Sequence, residues 1–294
     1  MSAPSYLVIT GDYVIVGKEP DGDSVRFVAR NEDLYRHLHR AYRIKPSHDG
    51  SVQLRLEGVD APELHYGSAA QPLGSQPRDR LLDWMGFRNI KYVGRSTKVQ
   101  SAQPDSIPGT ILTKAADANG RPIAYVLLRE QANQLTEGQW INVGDELLQS
   151  TLNYRLVTSG MAYYTVYTSI PFTHRQLLRE AASAARHEER GVWALDTTSN
   201  FELEDQASIG PDGQLILPKL FRRCTDYLKD VAAGKFQGNL ADWLIWISQS
   251  ASRNENDLVV VNDSLEVPLS SLLDQRNRNI VFQADTLDIM FVEK

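Results

Sequence analysis

The arrangement of apolar and polar residues predicts a series of strands in the first part of the chain. Residues 6–10, 13–16, 24–29 and 123–128 are rich in β-branched and aromatic residues. In residues 52–56 apolar side chains alternate with polar ones, which is the two-residue period of a strand. Turns containing Gly or Pro separate these segments. A β-sheet is therefore expected to form the framework of this part.

Helical patterns lie between and after these strands. A helix is predicted to begin at Ser75 and to bury one apolar face. A second is predicted over residues 145–159, with Gly160 ending it. A third is predicted to start at the capping pair Thr173 and Gln176. Residues 96–109 and 130–138 are predicted to be inserted loops.

The last third of the chain has a different pattern. Residues 199–213 are polar and contain Gly and Pro, as is typical of a linker. Beyond them we predict one helix ending at Gly234, a second capped by Asn239, and strands near residues 258–261, 265–269, 280–282 and 288–292. The expected organisation is a domain over residues 1–198, a linker over 199–213 and a small α+β domain over 214–294.

Composition supports a soluble globular protein. The chain has 294 residues, of which 42% are hydrophobic, enough for one or two cores. It has no apolar run near 18 residues and no signal-peptide pattern at its start, so a cytoplasmic location without membrane contact is expected. Its single cysteine, Cys224, excludes an internal disulfide and a multi-thiolate metal site, and is predicted to be buried.

The net charge of -6 is unevenly distributed. Residues 1–200 contain 22 of the 31 basic and 22 of the 37 acidic residues, so the whole acidic excess follows them. A neutral first part can still carry a local positive cleft. For the acidic last third we favour an ordinary surface or a docking domain. The alternative is a surface that slows binding of polyanions or occupies arginines of the first part.

Three short motifs carry the candidate chemistry. They are D-G-D-S at residues 21–24, R-L-E-G-V-D-A-P-E at 55–63 and D-A-N-G-R-P-I-A-Y at 117–125. The middle motif places Arg55, Asp60 and Glu63 at the end of a strand. One carboxylate that binds a hard cation and a second that activates water suit phosphodiester hydrolysis, and a guanidinium fits phosphate oxygens. Each motif alone is more often a plain turn.

In this order, the three motifs resemble those of the staphylococcal nuclease (thermonuclease) family, D-G-D-T, R-L-x-x-V-D-T-P-E and D-x-x-G-R-x-x-A-Y. The resemblance covers about residues 6–196. It implies a five-stranded, SNase-like OB-fold barrel flanked by helices, and it leaves the last third of the chain unexplained. Together with the small C-terminal α+β domain that the residue pattern predicts, this barrel gives an α+β fold class. The resemblance also implies a hydrolase, an endonuclease that cleaves DNA, RNA or both with little sequence specificity.

The family resemblance assigns catalytic roles residue by residue. Glu63 matches the general base that takes a proton from the attacking water. Arg55 and Arg121 match two guanidiniums that hold the phosphate as its charge increases. Tyr163 and Tyr167 lie in a segment that carries nucleotide-contacting tyrosines in the family, and Tyr167 is the better match.

The resemblance also implies a cation site. Asp23 and Asp60 match metal-binding carboxylates, and the backbone carbonyl of Ala61 matches a third ligand. Calcium is the family metal, and a loose shell of oxygen ligands suits calcium better than magnesium. The chain departs from the family pattern at Ala61 and Ser24, where threonine is usual. A carbonyl ligand is retained at Ala61, but any support from the threonine hydroxyl is lost.

Two alternatives stay open at this point. Tandem relatives of the family keep the barrel but lose catalytic acids and bind RNA or proteins, so a catalytically idle binding module is the main rival. The C-terminal domain could bind a protein partner. Residues 31–50 are rich in basic and aromatic residues, and could either contact a phosphate backbone or form a solvated surface loop.

Overall fold

The N-terminal part is built on a long, curled sheet. The computed structural model describes residues 5–249 and 255–293. The strands of this part are β1 (Ser5–Val14), β2 (Arg26–Ala29), β3 (Ser51–Gln53), β4 (Arg55–Leu56), β5 (Val59–Asp60), β6 (Arg88–Tyr92), β7 (Val99–Gln103), β8 (Ser106–Ala116), β9 (Pro122–Leu128), β10 (Trp140–Asn142) and β11 (Tyr163–Tyr164). The sheet order is β3-β2-β1-β8-β9-β4, and β10 also pairs with β1. This confirms the predicted strands at residues 24–29, 52–56 and 123–128.

Two pairings near the sheet end bring the motifs together. Strand β4 runs parallel to β9 with Arg55 opposite Ile123, so Arg55 lies near the start of the strand that follows Arg121. Strand β5 pairs with β11, with Asp60 opposite Tyr163. The middle and last motifs are therefore neighbours, although about 60 residues of sequence separate them.

Helices pack against this sheet. They are α1 (Ser75–Met85), α2 (Asp145–Gln149), α3 (Leu152–Thr158) and α4 (Phe172–His187). The prediction of one helix over residues 145–159 is wrong, because the Thr151 side chain accepts a hydrogen bond from the Tyr154 amide at 3.1 Å and caps a new helix there. Gly160 ends α3 with a φ of 67°, as its position predicted. The mixture of helices with a curled sheet confirms the α+β fold class.

Two further local predictions are corrected. Helix α4 begins after Pro171, which has no side-chain cap, so the predicted capping pair Thr173 and Gln176 does not form. Proline supplies the fixed φ that favours the start of the helix without such a cap. The predicted loop over residues 96–109 contains β7 and the beginning of β8. Val99 and Ala102 are the buried residues of β7, and their three-residue spacing departs from the two-residue alternation that indicates a strand in a sequence.

The C-terminal part contains α5 (Pro218–Ala232), α6 (Leu240–Ser248), β12 (Asn200–Glu202), β13 (Leu258–Val261), β14 (Leu265–Pro268), β15 (Leu273–Arg276), β16 (Asn279–Phe282) and β17 (Ile289–Phe291). The strands form the sheets β12-β16-β15 and β14-β13-β17. The Asn239 side chain caps α6 by accepting from the Asp242 amide at 2.8 Å, and Cys224 is buried, both as predicted. Strand β12 lies within residues 199–213. The division of the chain into two domains stays a prediction.

Helix α5 lies against the N-terminal part. The amide of Gln71 donates from its side chain to the Ile216 carbonyl at 2.7 Å, just before the helix. The Tyr66 hydroxyl donates to Asp226 at 2.7 Å. Both contacts come from the segment that follows Glu63, so the helix is held close to the third acid of the middle motif. Among residues 5–249 and 255–293, helices of the length and apolarity that a bilayer span requires are absent.

Candidate active site

The turn of the first motif is packed directly against the second. The Asp21 amide donates to the Ser24 carbonyl at 3.0 Å, which closes the turn. A side chain at Gly22 would place its Cβ 2.6 Å from the Cβ atoms of Ala61 and Pro77, so only glycine allows this approach. The Ala61 amide donates to the Asp23 carboxylate at 3.3 Å. Asp23 is thereby held beside the end of β5.

Hydrogen bonds also fix the loop that carries Glu63. The Glu63 amide donates to the Gln71 side chain at 3.1 Å, and the Gln71 amide donates back to the Glu63 carbonyl at 2.9 Å. A side chain at Gly74 would place its Cβ 2.6 Å from the same carbonyl. Because the backbone is held on both sides, Glu63 stays next to Asp60.

The two arginines of the motifs have different partners. The Arg55 guanidinium lies over the Tyr167 ring, 4.6 Å from its centre. Arg121 donates from Nε and Nη2 to the Asp117 carboxylate, both at 2.8 Å. Asp117 in turn accepts from two backbone amides of its own turn, at Asn119 and Arg121. Arg121 is thus positioned by a buried carboxylate and still has a partly exposed side chain.

Electrostatic interactions show that the acids form one cluster. Burial and the charge of Asp60 raise the pKa of Asp23, although Arg121 counteracts them. Burial and the charge of Asp23 raise the pKa of Asp21 to about 8. Burial raises the pKa of Glu63 to about 7, and the charges of Asp60 and Asp23 act in the same direction. Four carboxyl groups crowded in this way favour a positively charged partner.

The structure adds residues that sequence reasoning missed. Asp21 joins the cluster, whereas the sequence indicated only a turn residue. From α5, the Arg222 guanidinium donates from Nη1 to Asp60 Oδ1 at 3.2 Å and from Nη2 to Asp60 Oδ2 at 2.9 Å, and it also contacts Glu63. One turn earlier, Lys219 donates to the Tyr167 hydroxyl at 3.0 Å. The three-residue spacing of Lys219 and Arg222 in a predicted amphipathic helix was visible in the sequence, but nothing there indicated what these side chains contact.

A family model described as staphylococcal nuclease homologue matches residues 53–195, which include Arg55, Asp60, Glu63 and Arg121. This match confirms, for residues 53–195, the resemblance to the staphylococcal nuclease family. Asp23 precedes the matched residues, so its place in the site rests on the contacts described above. The family is generally metal-dependent.

Several curated proteins are similar to part of this chain. A probable endonuclease lcl3 from Aspergillus clavatus is 29% identical over 98 residues, covering 33% of this chain and 34% of its own length. The probable endonuclease LCL3 from Coccidioides posadasii is 26% identical over 147 residues, which cover 49% of this chain and 37% of the relative. A probable endonuclease lcl3 from Aspergillus niger is 30% identical over 88 residues, which cover 29% of this chain and 32% of the relative. The chain thus spans about a third of the length of these relatives.

The two predicted nucleotide-contacting tyrosines have different surroundings. Tyr163 is fully buried, donates to the Asp196 carboxylate at 2.9 Å and packs edge-on against Trp193. Tyr167 is half-buried between Arg55 and Lys219. Burial raises its pKa, but these two cations outweigh burial and bring the pKa to about 8. Contact of either tyrosine with a nucleotide stays a prediction, and Tyr167 has the position next to the motif arginine.

Residues 31–50 pack beside the last motif. The Arg43 guanidinium donates to the Ala118 carbonyl at 2.8 Å, and a Cβ at Gly120 would lie 2.1 Å from the Arg43 carbonyl. Tyr42 is 77% exposed, whereas Tyr35 is buried. The segment therefore supports the turn that carries Arg121. A direct contact of its exposed side chains with nucleic acid stays a prediction.

The ligand atoms of the predicted cation site are all oxygens, the type that hard cations prefer. Asp23 and Asp60 provide carboxylates, and the chain passes Ala61 beside them, where a carbonyl is available. Both oxygens of Asp60, however, already accept from Arg222. Across the part of the chain that is described, no group of three His, Cys, Asp or Glu side chains is arranged to hold a metal ion. The donor types therefore suit a divalent cation, while the Arg222 guanidinium shares the oxygens of Asp60.

Proposed function

We propose that this protein is a nuclease that hydrolyses phosphodiester bonds of DNA, RNA or both, with little sequence specificity and with calcium as its cation. The observation that carries the proposal is the convergence of Asp23, Asp60 and Glu63 with two arginines at one end of the sheet. These residues come from three motifs, and burial together with the charge of Asp60 raises the pKa values of Asp23 and Glu63. Membership of residues 53–195 in a nuclease family supports the same reaction class.

In this proposal Glu63 accepts a proton from the attacking water. Burial raises the pKa of its carboxyl to about 7, which suits a group that exchanges protons near neutral pH. Arg55 and Arg121 donate hydrogen bonds to the phosphate as its negative charge grows. Aromatic contact with Tyr167 and the carboxylate of Asp117 hold the two guanidiniums in place before substrate binds.

The cation would be held by Asp23, Asp60 and the backbone carbonyl of Ala61, with water and substrate oxygens completing its shell. When bound, it would neutralise negative charge on the phosphate. Replacement of the family's threonine by Ala61 retains the carbonyl, so the ligand set keeps its two carboxylates and one carbonyl. Calcium is preferred over magnesium because calcium tolerates an irregular shell of oxygen ligands.

A catalytically idle binding module is the second candidate. The contacts of Arg222 with both Asp60 and Glu63 favour it, since an acid that is engaged by a guanidinium is a poor base and a poor metal ligand. A protein partner for residues 214–294 stays a prediction. One measurement distinguishes the two candidates: a nuclease cleaves the nucleic acid that it binds, whereas a binding module leaves it intact.

The test is digestion of single-stranded DNA, double-stranded DNA and RNA by the full chain at saturating calcium and in EDTA. We expect fragments with calcium and intact substrate in EDTA. Glu63→Gln should lower turnover by about 10²-fold, the usual effect of losing a general base. Glu180→Gln, at an exposed position of α4, is the matched control. Full activity in EDTA, or unchanged turnover of Glu63→Gln, would contradict the proposed roles.

A further inference from the structure

Helix α5 brings a fixed positive charge into the acid cluster. The two terminal nitrogens of Arg222 face the two oxygens of Asp60 in a side-by-side arrangement, at 3.2 and 2.9 Å, and the guanidinium also contacts Glu63. Asp60 is only 4% exposed. A paired geometry of this kind, largely shielded from water, is among the stronger side-chain interactions in proteins.

The position of the guanidinium follows from how α5 is held. Its apolar face, including Leu220, Phe221 and Cys224, is buried in the core. The hydrogen bonds from Gln71 and Tyr66 join both its beginning and its middle to the segment after Glu63. The helix backbone is therefore firmly placed. The Arg222 side chain, which keeps 23% exposure, is the part that can turn away.

We propose that Arg222 competes with the divalent cation for Asp60, and that it thereby sets the calcium concentration at which Glu63 becomes free to act. The inference rests on the proposed nuclease function. Both Asp60 oxygens are occupied by the guanidinium, so Asp60 cannot ligate a cation from the same side at the same time. A guanidinium and a divalent ion a few ångströms apart in a buried site would also repel each other strongly. Calcium binding is therefore expected to displace Arg222.

The charge of Arg222 is opposite in sign to the net acidic charge of residues 201–294. An acidic surface was one predicted means of restraint, through repulsion of polyanions or through contact with the arginines. The arginines of the motifs are instead partnered by Tyr167 and Asp117, which belong to the N-terminal part. The C-terminal part acts on the site through a basic side chain that contacts its acids.

The first experiment measures calcium binding, independently of cleavage. Full-length wild type and Arg222→Met are titrated with calcium by calorimetry, and their melting temperatures are recorded in EDTA and in calcium. Methionine keeps the unbranched aliphatic chain and removes the charge. We expect the variant to bind calcium about ten-fold more tightly or more, the scale of one lost charge-assisted hydrogen bond. Calcium should also raise its melting temperature more than it raises that of wild type. Arg276→Gln, 85% exposed in β15, is the control.

The second experiment needs no substitution, and covers the case in which Arg222→Met does not fold. Wild-type protein is treated with phenylglyoxal, and modification of each arginine is followed by mass spectrometry. Arg222 should react slowly in EDTA and faster at saturating calcium, whereas the exposed Arg276 should react equally in both. Unchanged protection of Arg222 in protein that has bound calcium would overturn the proposal.

The outcomes separate this inference from the proposed function. Tighter calcium binding by Arg222→Met without cleavage by either protein supports the competition and refutes the nuclease. Equal calcium affinities with cleavage by both overturn the competition and leave the nuclease intact. Equal affinities with loss of cleavage by Arg222→Met would assign Arg222 to the phosphate instead, which also overturns the competition. Absence of calcium binding by both proteins refutes both proposals.

Discussion

Substitution of Asn153 in α3 is expected to lower the stability of the protein more than substitution at most positions outside the acid cluster. The Asn153 side chain is fully buried and forms three hydrogen bonds with the backbone of the sheet. It accepts from the Val126 amide at 2.9 Å, and it donates to the carbonyls of Glu57 at 2.9 Å and Ala124 at 3.0 Å. The chain turns after Glu57 and then enters β5. The Asn153 side chain therefore also holds the backbone that leads to Asp60.

Substitution by alanine removes all three hydrogen bonds and leaves their partners buried. The Ala124 carbonyl still accepts a hydrogen bond from the Glu57 amide at 3.0 Å, so of the three backbone groups it is the least destabilised. The Val126 amide and the Glu57 carbonyl each lose the Asn153 partner. At about 1 kcal/mol for each net hydrogen bond, with a larger penalty for a buried group left unpaired, Asn153→Ala should lower the free energy of unfolding by about 3 kcal/mol or more.

The assay is urea denaturation of the full-length wild type and variant, followed by far-ultraviolet circular dichroism. Asn142→Ala is the matched control, because Asn142 lies exposed on the edge strand β10, where its side chain accepts a hydrogen bond from the Ser5 hydroxyl at 3.3 Å. We expect the control to remain within about 0.5 kcal/mol of wild type. A comparably small change for Asn153→Ala would refute the argument that its hydrogen bonds join α3 to the sheet.

Three further predictions concern the site and its surroundings. Arg55→Ala and Arg121→Ala should each reduce kcat more than they raise KM, because transition-state charge exceeds ground-state charge; an effect on KM alone would contradict this. Asp23→Ala should abolish calcium-dependent cleavage and weaken calcium binding by calorimetry, with retained binding as the contrary result. Burial raises the pKa of Glu57 from its ordinary value of 4.5 to about 7, so ionisation of this group is easier in the unfolded chain and wild-type stability should fall as pH rises through this interval. Glu57→Gln should remove about 3 kcal/mol of that fall, and Glu180→Gln none, as measured by denaturation at several pH values.

Much of the local structure could be predicted from the sequence, because short-range patterns decide it. The alternation at residues 52–56 predicted strands, and the caps at Asn239 and Gly160 were confirmed. The family motifs likewise contain the acids and arginines that the fold brings to one end of the sheet, and their roles stay a prediction. Errors occurred where a local signal competed with another, as at Thr151, whose side chain caps a new helix inside a continuous apolar pattern.

The relation between the two parts of the chain was decided by tertiary structure alone. Nothing in the sequence of α5 distinguishes Arg222 from an ordinary surface arginine, since its partner Asp60 lies 162 residues away. Net charge predicted an acidic C-terminal third but could not indicate which of its side chains faces the site. Sequence by itself determined the strands, the helix caps and the three motifs from which the site residues are predicted. The packing of α5 against the segment after Glu63 decided that Asp60 and Glu63 contact the guanidinium of Arg222.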